Sequence, residues 1–285
     1  MVSTVGLVLH PRRDSKIAVD AIVEWATMRS GTVLGLPEEI GRIDCSAVAV
    51  DADELVRRAD LLVSLGGDGT MLRSMRMAAG HATPVLGVNL GRLGFLAEID
   101  VKDLAQALTS IDEHRYQVEQ RMAVAARLPD GQMATAFNDI ALVRIPGDGM
   151  AVVEVLVKGE PFVRYAADAV IVSTSTGSTA YSFSASGPIV SPTVEGFLVI
   201  PASAHSAFNR AIMLSADEAV TLNLLPTCGP LAVEVDGAVA TRLGAGDRLE
   251  VTASRAAARV VRLGNTTFYE RARRKLRVSG SVEAD

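Results

Sequence analysis

Cysteine is nearly absent: 2 in 285 residues, Cys45 and Cys228. That is too few, and too widely spaced, for a disulfide framework or a paired-cysteine zinc site. The two read as buried thiols in a reducing cytoplasm. Histidine is also scarce: His10, His81, His114 and His205 form no acyl-transfer arrangement and no metal-ligand cluster, and no G-x-S-x-G elbow supplies a serine nucleophile. Positive charge is not in excess: 28 Lys and Arg against 33 Asp and Glu leave a net charge of -5, which argues against a nucleic-acid partner. Neither G-x-x-x-x-G-K-[ST] nor G-x-G-x-x-G occurs, so the two commonest nucleotide loops are excluded. Met1–Leu7 enters a strand with no charged leader or cleavage-site pattern. The one uncharged stretch of membrane length, Ala169–Val194, has 11 Ser or Thr and 4 Gly or Pro in its 26 residues. Those groups would be unpaired in lipid, so a loop-rich, water-facing segment and no membrane association are expected. No internal repeat is evident.

What is present centres on Leu61-Leu62-Val63-Ser64-Leu65-Gly66-Gly67-Asp68-Gly69-Thr70. The apolar run reads as a buried strand, the glycines as a tight turn, and Thr70 as the cap of a helix through Met71–Ala79. Strand, glycine turn and helix N-terminus together favour phosphate, because free N–H groups and the helix dipole face the same space. An acid at such a place is costly unless it acts, which singles out Asp68. The plainer reading, a tight βα turn, fits a lone Gly-Gly pair but not the whole block.

Around this stretch the periodicity predicts strands at 5–9, 32–36, 47–50, 61–65 and 84–88. It predicts helices from Asp14-Ser15 to Met28, at 53–59, 71–79 and 101–111. Alternation of strand and helix implies an α/β domain with a mostly parallel sheet over 1–112, whose ligands bind beyond the carboxyl ends of the strands. A second glycine turn, Asn89–Leu96, follows the next strand. From Tyr116 the period becomes that of strands, and Asp130-Gly131, Lys158-Gly159 and Asp236-Gly237 read as hairpin turns. Residues 113–266 are therefore expected to be all-β and sandwich-like. A helix at 267–277 is expected to join the first domain, with a flexible tail at 278–285. Its basic run, Arg271 to Arg277, reads by itself as a solvated face.

The other dense block is Ser173–Ser184, continuing to Gly187-Pro188. Hydroxyls at this density suit ribose, phosphate or adenine edges, and Tyr181 suits stacking on a base. Asn138-Asp139 by itself reads as a strand-entry turn. Asp168 and His205 carry no signal alone.

Together these blocks resemble the NAD kinase family over nearly the whole chain. Gly66–Thr70 matches its glycine-aspartate motif, Asn89–Leu96 its N-x-G-x-L-G-F-L segment, and Thr176–Pro188 its T-G-S-T-A-Y-x-x-S-x-x-G-P block. Asn138-Asp139 stands where the family has Asn-Glu, and Phe268–Leu276 resembles its closing helix, which packs back on the N-terminal domain. Ala204-His205-Ser206 and Asp236-Gly237 fall at corresponding loops.

The resemblance implies transfer of the γ-phosphoryl of ATP, or of polyphosphate, to the 2′-hydroxyl of the adenosine ribose of NAD. Asp68 would accept the hydroxyl proton, and Mg²⁺ or another divalent cation would accompany ATP, with no dedicated protein metal site. Gly66, Gly67, Gly69 and Thr70 would hold phosphate. Asp68, Gly69, Arg73, Asn138, Asp139, Ala166, Asp168, Thr179, Ala180, Tyr181, Ser182, Phe183, Ser184 and His205 would bind NAD, the second domain carrying most of them. A homodimer or homotetramer is implied too.

The chain departs from the family at three places. Asp139 shortens the carboxylate arm of the usual Glu, Ala169 replaces Gly, and Ser175 replaces Pro and should loosen its loop. Ala166 is small where NAD-restricted members carry Arg, so NADH is expected to serve as acceptor. Two other readings compete: a lipid kinase, which shares the glycine-aspartate motif but has no use for the hydroxyl block, and a non-catalytic nucleotide sensor.

Overall fold

The computed structural model describes residues 2–91, 94–264 and 266–277. Arg92 and Leu93 of the second glycine turn, and the expected flexible tail 278–285, lie outside the described residues. In chain order the elements begin with β1 (Thr4–Leu9), α1 (Lys16–Thr27), β2 (Thr32–Gly35), α2 (Pro37–Ile40), β3 (Val48–Ala49), α3 (Ala52–Arg58), β4 (Leu61–Gly66), α4 (Asp68–Met77), β5 (Pro84–Asn89), β6 (Ile99–Asp100) and α5 (Leu104–Asp112). There follow β7 (Gln117–Arg127), β8 (Met133–Ala136), β9 (Asp139–Arg144), β10 (Ala151–Val157), β11 (Glu160–Ala167), β12 (Ala169–Thr174) and α6 (Tyr181–Ser184). The chain ends with β13 (Gly196–Ala202), β14 (Ile212–Ser215), β15 (Val220–Leu224), β16 (Leu231–Val235), β17 (Ala238–Leu243), β18 (Arg248–Arg262) and α7 (Phe268–Leu276).

Two compact units emerge, Met1–Gln120 with Ala258–Asp285, and Arg121–Ala257. Their limits fall inside β7 and β18, whereas the sequence expectation draws them at 112 and 266, where predicted elements end. A long strand need not stop where one core gives way to another.

The first unit is built on a parallel sheet in the order β3-β2-β1-β4-β5, with Val260 of β18 opposite Val85 of β5. Leu7 pairs with Val63 and Val63 with Leu86, which sets the apolar runs of β1, β4 and β5 side by side. One face of this sheet buries Val5, Leu7, Val63, Leu65 and Leu86 against Ile22 and Trp25 of α1 and Leu104, Leu108 and Ile111 of α5. Such runs, apolar at successive positions, are what a sheet covered on both faces requires.

Sequence and structure differ at two helix starts: α5 begins at Leu104 rather than at 101, and α4 begins before Met71. α4 begins at Asp68, with Gly67 as its N-cap, so Thr70 lies in the first turn and caps nothing. Its hydroxyl packs against Gly66, where a Cβ would stand 2.1 Å from Thr70 Oγ1. Helical geometry therefore reaches the aspartate itself.

The closing helix belongs to the first unit, and a buried ion cluster holds it. Glu98 Oε2 meets Arg262 Nη1 at 2.8 Å and Arg271 Nη2 at 2.7 Å, while Oε1 accepts the Leu263 N–H at 2.9 Å. Arg271 is only 3% exposed and also donates to the Ala97 carbonyl at 2.6 Å. The solvated-face reading of the basic run is thus wrong for Arg271. A long guanidinium with carbonyls and a carboxylate in reach is better satisfied inside.

The second unit holds an antiparallel sheet in the order β14-β13-β12-β9-β16-β17, and a second set of antiparallel strands in which β10 lies between β11 and β15, and β15 pairs with the start of β18. Side chains from both sets, among them Phe197, Leu142, Tyr165, Val153 and Leu222, share one core. All three predicted hairpin turns are present, joining β7 to β8, β10 to β11 and β16 to β17. Lys158 and Asp236 adopt φ of 52° and 48° beside their glycines, the type I′ geometry that suits the strand twist. Among the described residues no helix is long and apolar enough to cross a membrane.

Replacing Glu98 with alanine should leave the buried Arg271 guanidinium without its carboxylate, while Arg262 keeps Glu119 at 2.8 Å, and breaking such a buried pair costs about 3–5 kcal/mol. Urea unfolding of Glu98→Ala should show that loss; a change within the error of the wild-type midpoint would contradict it.

Candidate active site

In the first unit, parallel pairing puts the carboxyl ends of β1 and β4 side by side, with Leu9 opposite Leu65 and the His10 N–H donating to the Leu65 carbonyl at 2.8 Å. The segments that follow both strands therefore open on the same edge, where α/β sheets bind ligands. They form a cleft of about 470 Å³ lined by His10, Pro11, Arg13, Gly67, Asp68, Gly69, Thr70, Arg73 and Arg76. Its lining holds three arginines and the first turn of α4, against one acid.

Asp68 is the acid, and its carboxylate is tightly held. Oδ2 accepts the Phe95 N–H and Oδ1 the Leu96 N–H, each at 3.0 Å. The second glycine turn thus supplies donors to the first. A Cβ on Gly94 would lie 2.1 Å from Asp68 Oδ1, so only glycine lets the loop come this close. Asn89 shapes the start of this loop, donating through Nδ2 to the Gly91 carbonyl and to Asp100 Oδ1, both at 2.9 Å. From α7, Lys275 Nζ stands 3.3 Å from Asp68 Oδ2.

At Gly67 and Gly69 a Cβ would meet nothing within 4 Å. Both sites face open space, in contrast to Gly66. Arg73 is anchored: its Nη2 donates to the Leu9 carbonyl at 2.7 Å and pairs with Glu39 Oε1 at 2.5 Å. His10 is lowered from its ordinary pKa by burial, then by Arg13, Arg12, Arg73 and Arg42. Its Nδ1 accepts the N–H groups of Arg12 and Arg13, each at 3.0 Å. Arg13, Arg76, His10 and Lys275 were not singled out from the sequence. For His10 and Arg13 a signal existed, since His10–Arg13 leaves the strand next to β4.

In the second unit, Asn138 and Asp139 enter β9 under the control of Asp236. Its Oδ1 accepts the Asn138 N–H at 2.7 Å and the Asp139 N–H at 3.3 Å, and its Oδ2 the Phe137 N–H at 3.3 Å. Asp139 is 3% exposed. Burial, then the nearby Asp236, push its carboxyl up to about 7; the Tyr181 N–H opposes this and Glu234 adds to it. Burial also raises the Tyr181 phenol, helped by Glu234, Asp139 and Asp168.

The hydroxyl block behaves differently from expectation. Thr174 Oγ1 donates to the Phe137 carbonyl at 2.5 Å, Ser178 Oγ bonds Val190 through both its N–H (3.0 Å) and its carbonyl (3.2 Å), and Ser173 Oγ reaches the Asn138 carbonyl at 3.3 Å. Most of these hydroxyls are buried, and they tie the loop to the Phe137–Asn138 segment and to Val190. Ser175 Oγ, in place of proline, donates to the carbonyls of Val194 (2.5 Å) and Gly196 (3.0 Å), contacts that oppose the expected loosening. Thr179, Ala180 and Tyr181 are half-buried, Phe183 and Ser184 exposed, and Ser182 buried with a hydroxyl that has no partner among the described residues. Ala169 is fully buried beside Ile171 and Ile200.

The remaining candidates gather at the end of β11. The His205 N–H donates to the Ala166 carbonyl at 2.7 Å, and the Ala166 N–H to Ser206 Oγ at 2.8 Å. Asp168, next along, forms an ion pair with Arg144 that spacing alone does not reveal.

Each unit thus carries its own part of the candidate set: a cationic cleft around a gripped carboxylate in the first, and a hydroxyl loop beside two acids in the second. Family models reach the same chemistry. The ATP-NAD kinase N-terminal domain matches residues 5–116, and the ATP-NAD kinase C-terminal domain residues 137–263. An NAD kinase of Heliobacterium modesticaldum is 38% identical over 96% of this chain and 98% of its own length. Among solved structures, yeast NADH kinase complexed with NADH superposes with a TM-score of 0.85 at 26% identity, covering 99% of this chain and 89% of that one. An Archaeoglobus fulgidus NAD kinase in complex with ATP gives 0.75 at 25% identity, covering 97% and 100%. The chain belongs to the NAD kinase family, the phosphotransferases that make NADP from NAD.

Proposed function

We propose that Asp68 is the base of this NAD kinase, accepting the proton of the adenosine 2′-hydroxyl as that oxygen attacks the γ-phosphorus of ATP. The grip on its carboxylate by Phe95 and Leu96, at the edge of an arginine-lined cleft, is the observation that carries this reading. A carboxylate is only a weak base. Phosphoryl transfer needs little more, because its loose transition state responds mainly to positioning and to neutralisation of charge. The peptide groups of Gly67–Thr70, at the positive end of α4, and the side chains of Arg13, Arg73 and Arg76 neutralise the donor phosphates from the protein side. Open space at Gly67 and Gly69 gives a phosphate access to the backbone there.

Among the described residues no cluster of three His, Cys, Asp or Glu side chains could hold a metal. The cleft fits a divalent cation that arrives on the donor's phosphates, with Asp68 as its carboxylate neighbour. Such a cation supplies charge neutralisation at the transferring group.

On the acceptor side, Asn138 and Asp139 hold the ribose and adenine end, and Thr179–Ser184 wrap the adenosine. Asp168 and His205, joined to Ala166, face the nicotinamide. Because most hydroxyls of the Ser173–Ser178 segment bond backbone carbonyls of Phe137, Val190, Val194 and Gly196, and Ser182 is fully buried, contact with adenosine falls to Thr179, Tyr181 and Ser184. The yeast NADH kinase complexed with NADH and the Archaeoglobus enzyme with ATP support NAD(H) and ATP as the two substrates. Polyphosphate fits the same cationic lining as an alternative donor. A homodimer or homotetramer in the cytoplasm completes the reading, by analogy with the family.

With ATP, Mg²⁺ and NAD, the purified chain should form NADP as read by an NADP-specific dehydrogenase. Asp68→Asn should lower kcat at least roughly 100-fold with NAD affinity largely kept; undiminished turnover would refute the assignment. The small side chain at Ala166 predicts NADH turnover as well, and turnover of NAD with none of NADH would contradict it. The protonation of Asp139 predicts a pH signature. Below its ordinary pKa of about 3.9 the carboxyl is neutral in folded and unfolded chains alike; as pH rises to about 7 only the folded state resists ionisation. Stability relative to Asp139→Asn should therefore fall across that window, by up to roughly 4 kcal/mol, and then level off. Urea midpoints measured against pH check it; parallel curves for the two proteins would contradict it.

A further inference from the structure

The geometry points to Lys275, on the closing helix, as a positioning residue for the Asp68 carboxylate. An ionised carboxylate has about four lone-pair sites. Among the described residues the Leu96 N–H takes one on Oδ1, the Phe95 N–H takes one on Oδ2, and the Lys275 ammonium takes the other on Oδ2. The site left over is on Oδ1. That is where an acceptor hydroxyl would dock, so the lysine decides which oxygen does the work.

The lysine is aimed by three contacts. Arg271, one helical turn earlier and on the same face of α7, anchors the helix through Glu98 Oε2 at 2.7 Å and the Ala97 carbonyl at 2.6 Å. Lys275 Nζ then lies 4.5 Å from the centroid of the Phe95 ring, within cation–π range. Phe95 is also the residue whose N–H holds Oδ2, so ring, peptide and ammonium converge on one oxygen. Both members of the Lys275–Asp68 pair are about one-third exposed, at 36% and 29%. Ion pairs in such surroundings add little to stability. A cation kept at the base of a kinase, in a place where it contributes little to folding, is better explained by what it does to the carboxylate.

This inference rests on Asp68 being the base, and the experiment separates the two. NADP formation is measured for wild type, Lys275→Met, Lys275→Arg and Asp68→Asn, with thermal midpoints for each. Lys275→Met should lower kcat about tenfold or more, since small misplacement of a reacting group has effects of this size. The KM for NAD and the thermal midpoint should stay near wild type, and Lys275→Arg should recover much of the loss. If Lys275→Met turns over like wild type while Asp68→Asn does not, the lysine inference fails and the base assignment stands. If Asp68→Asn is itself active, the base assignment fails and takes the inference with it. A kcat loss matched by a fall in the thermal midpoint, with no recovery in Lys275→Arg, marks the residue as structural and overturns the inference.

Discussion

Two peptide N–H groups on one carboxylate organise the first unit. Charge-assisted bonds from Phe95 and Leu96 to Asp68 fix the aspartate at the start of α4. They exist because β4 and β5 are parallel neighbours, so the loops that leave them emerge on the same edge. Several sequence features then become requirements: Gly94, because no Cβ fits beside Oδ1, and Asn89, whose side chain shapes the loop that presents the donors.

Charge in the cleft follows from the same placement. One acid sits among Arg13, Arg73 and Arg76. The net charge of the chain is negative, yet the local field at the α4 terminus favours anions, because the arginines and the helix dipole point the same way. The strong partner of Arg73 is Glu39, which also accepts the Leu9 N–H at 2.6 Å and is nearly fully buried. That pair fixes the arginine at the cleft wall and leaves Asp68 to the peptide groups and Lys275. The second unit uses its polar groups differently, with hydroxyls satisfying buried carbonyls and the Asp236 carboxylate pinning the entry to β9.

Much of this was legible in the sequence because it is local. The buried run at 61–65, the turn at 66–70, the hairpin dipeptides and the helix at 268–276 are each decided by neighbouring residues. β14 and the extents of β8, β11 and β17, whose entry turns alone were evident, could not be read, because their exposed faces blur the alternation. The roles of Glu98, Arg271 and Lys275 could not be read at all. They depend on contacts across more than 150 positions, and a basic run looks the same whether one of its members is buried or not. The hydroxyl block misled in another way: composition reveals which groups are present, and only the fold shows which of them the backbone has already engaged.

The central claim is that the gripped carboxylate faces the hydroxyl that is phosphorylated. A crystal structure of the enzyme with NADP bound tests it most directly. The account predicts the oxygen joining ribose to the 2′-phosphate within hydrogen-bond reach of Asp68, about 3 Å, with the Phe95 and Leu96 N–H groups still on the carboxylate. A bound NADP whose 2′-oxygen lies well beyond that reach, or whose phosphate sits against some other acid, would contradict it.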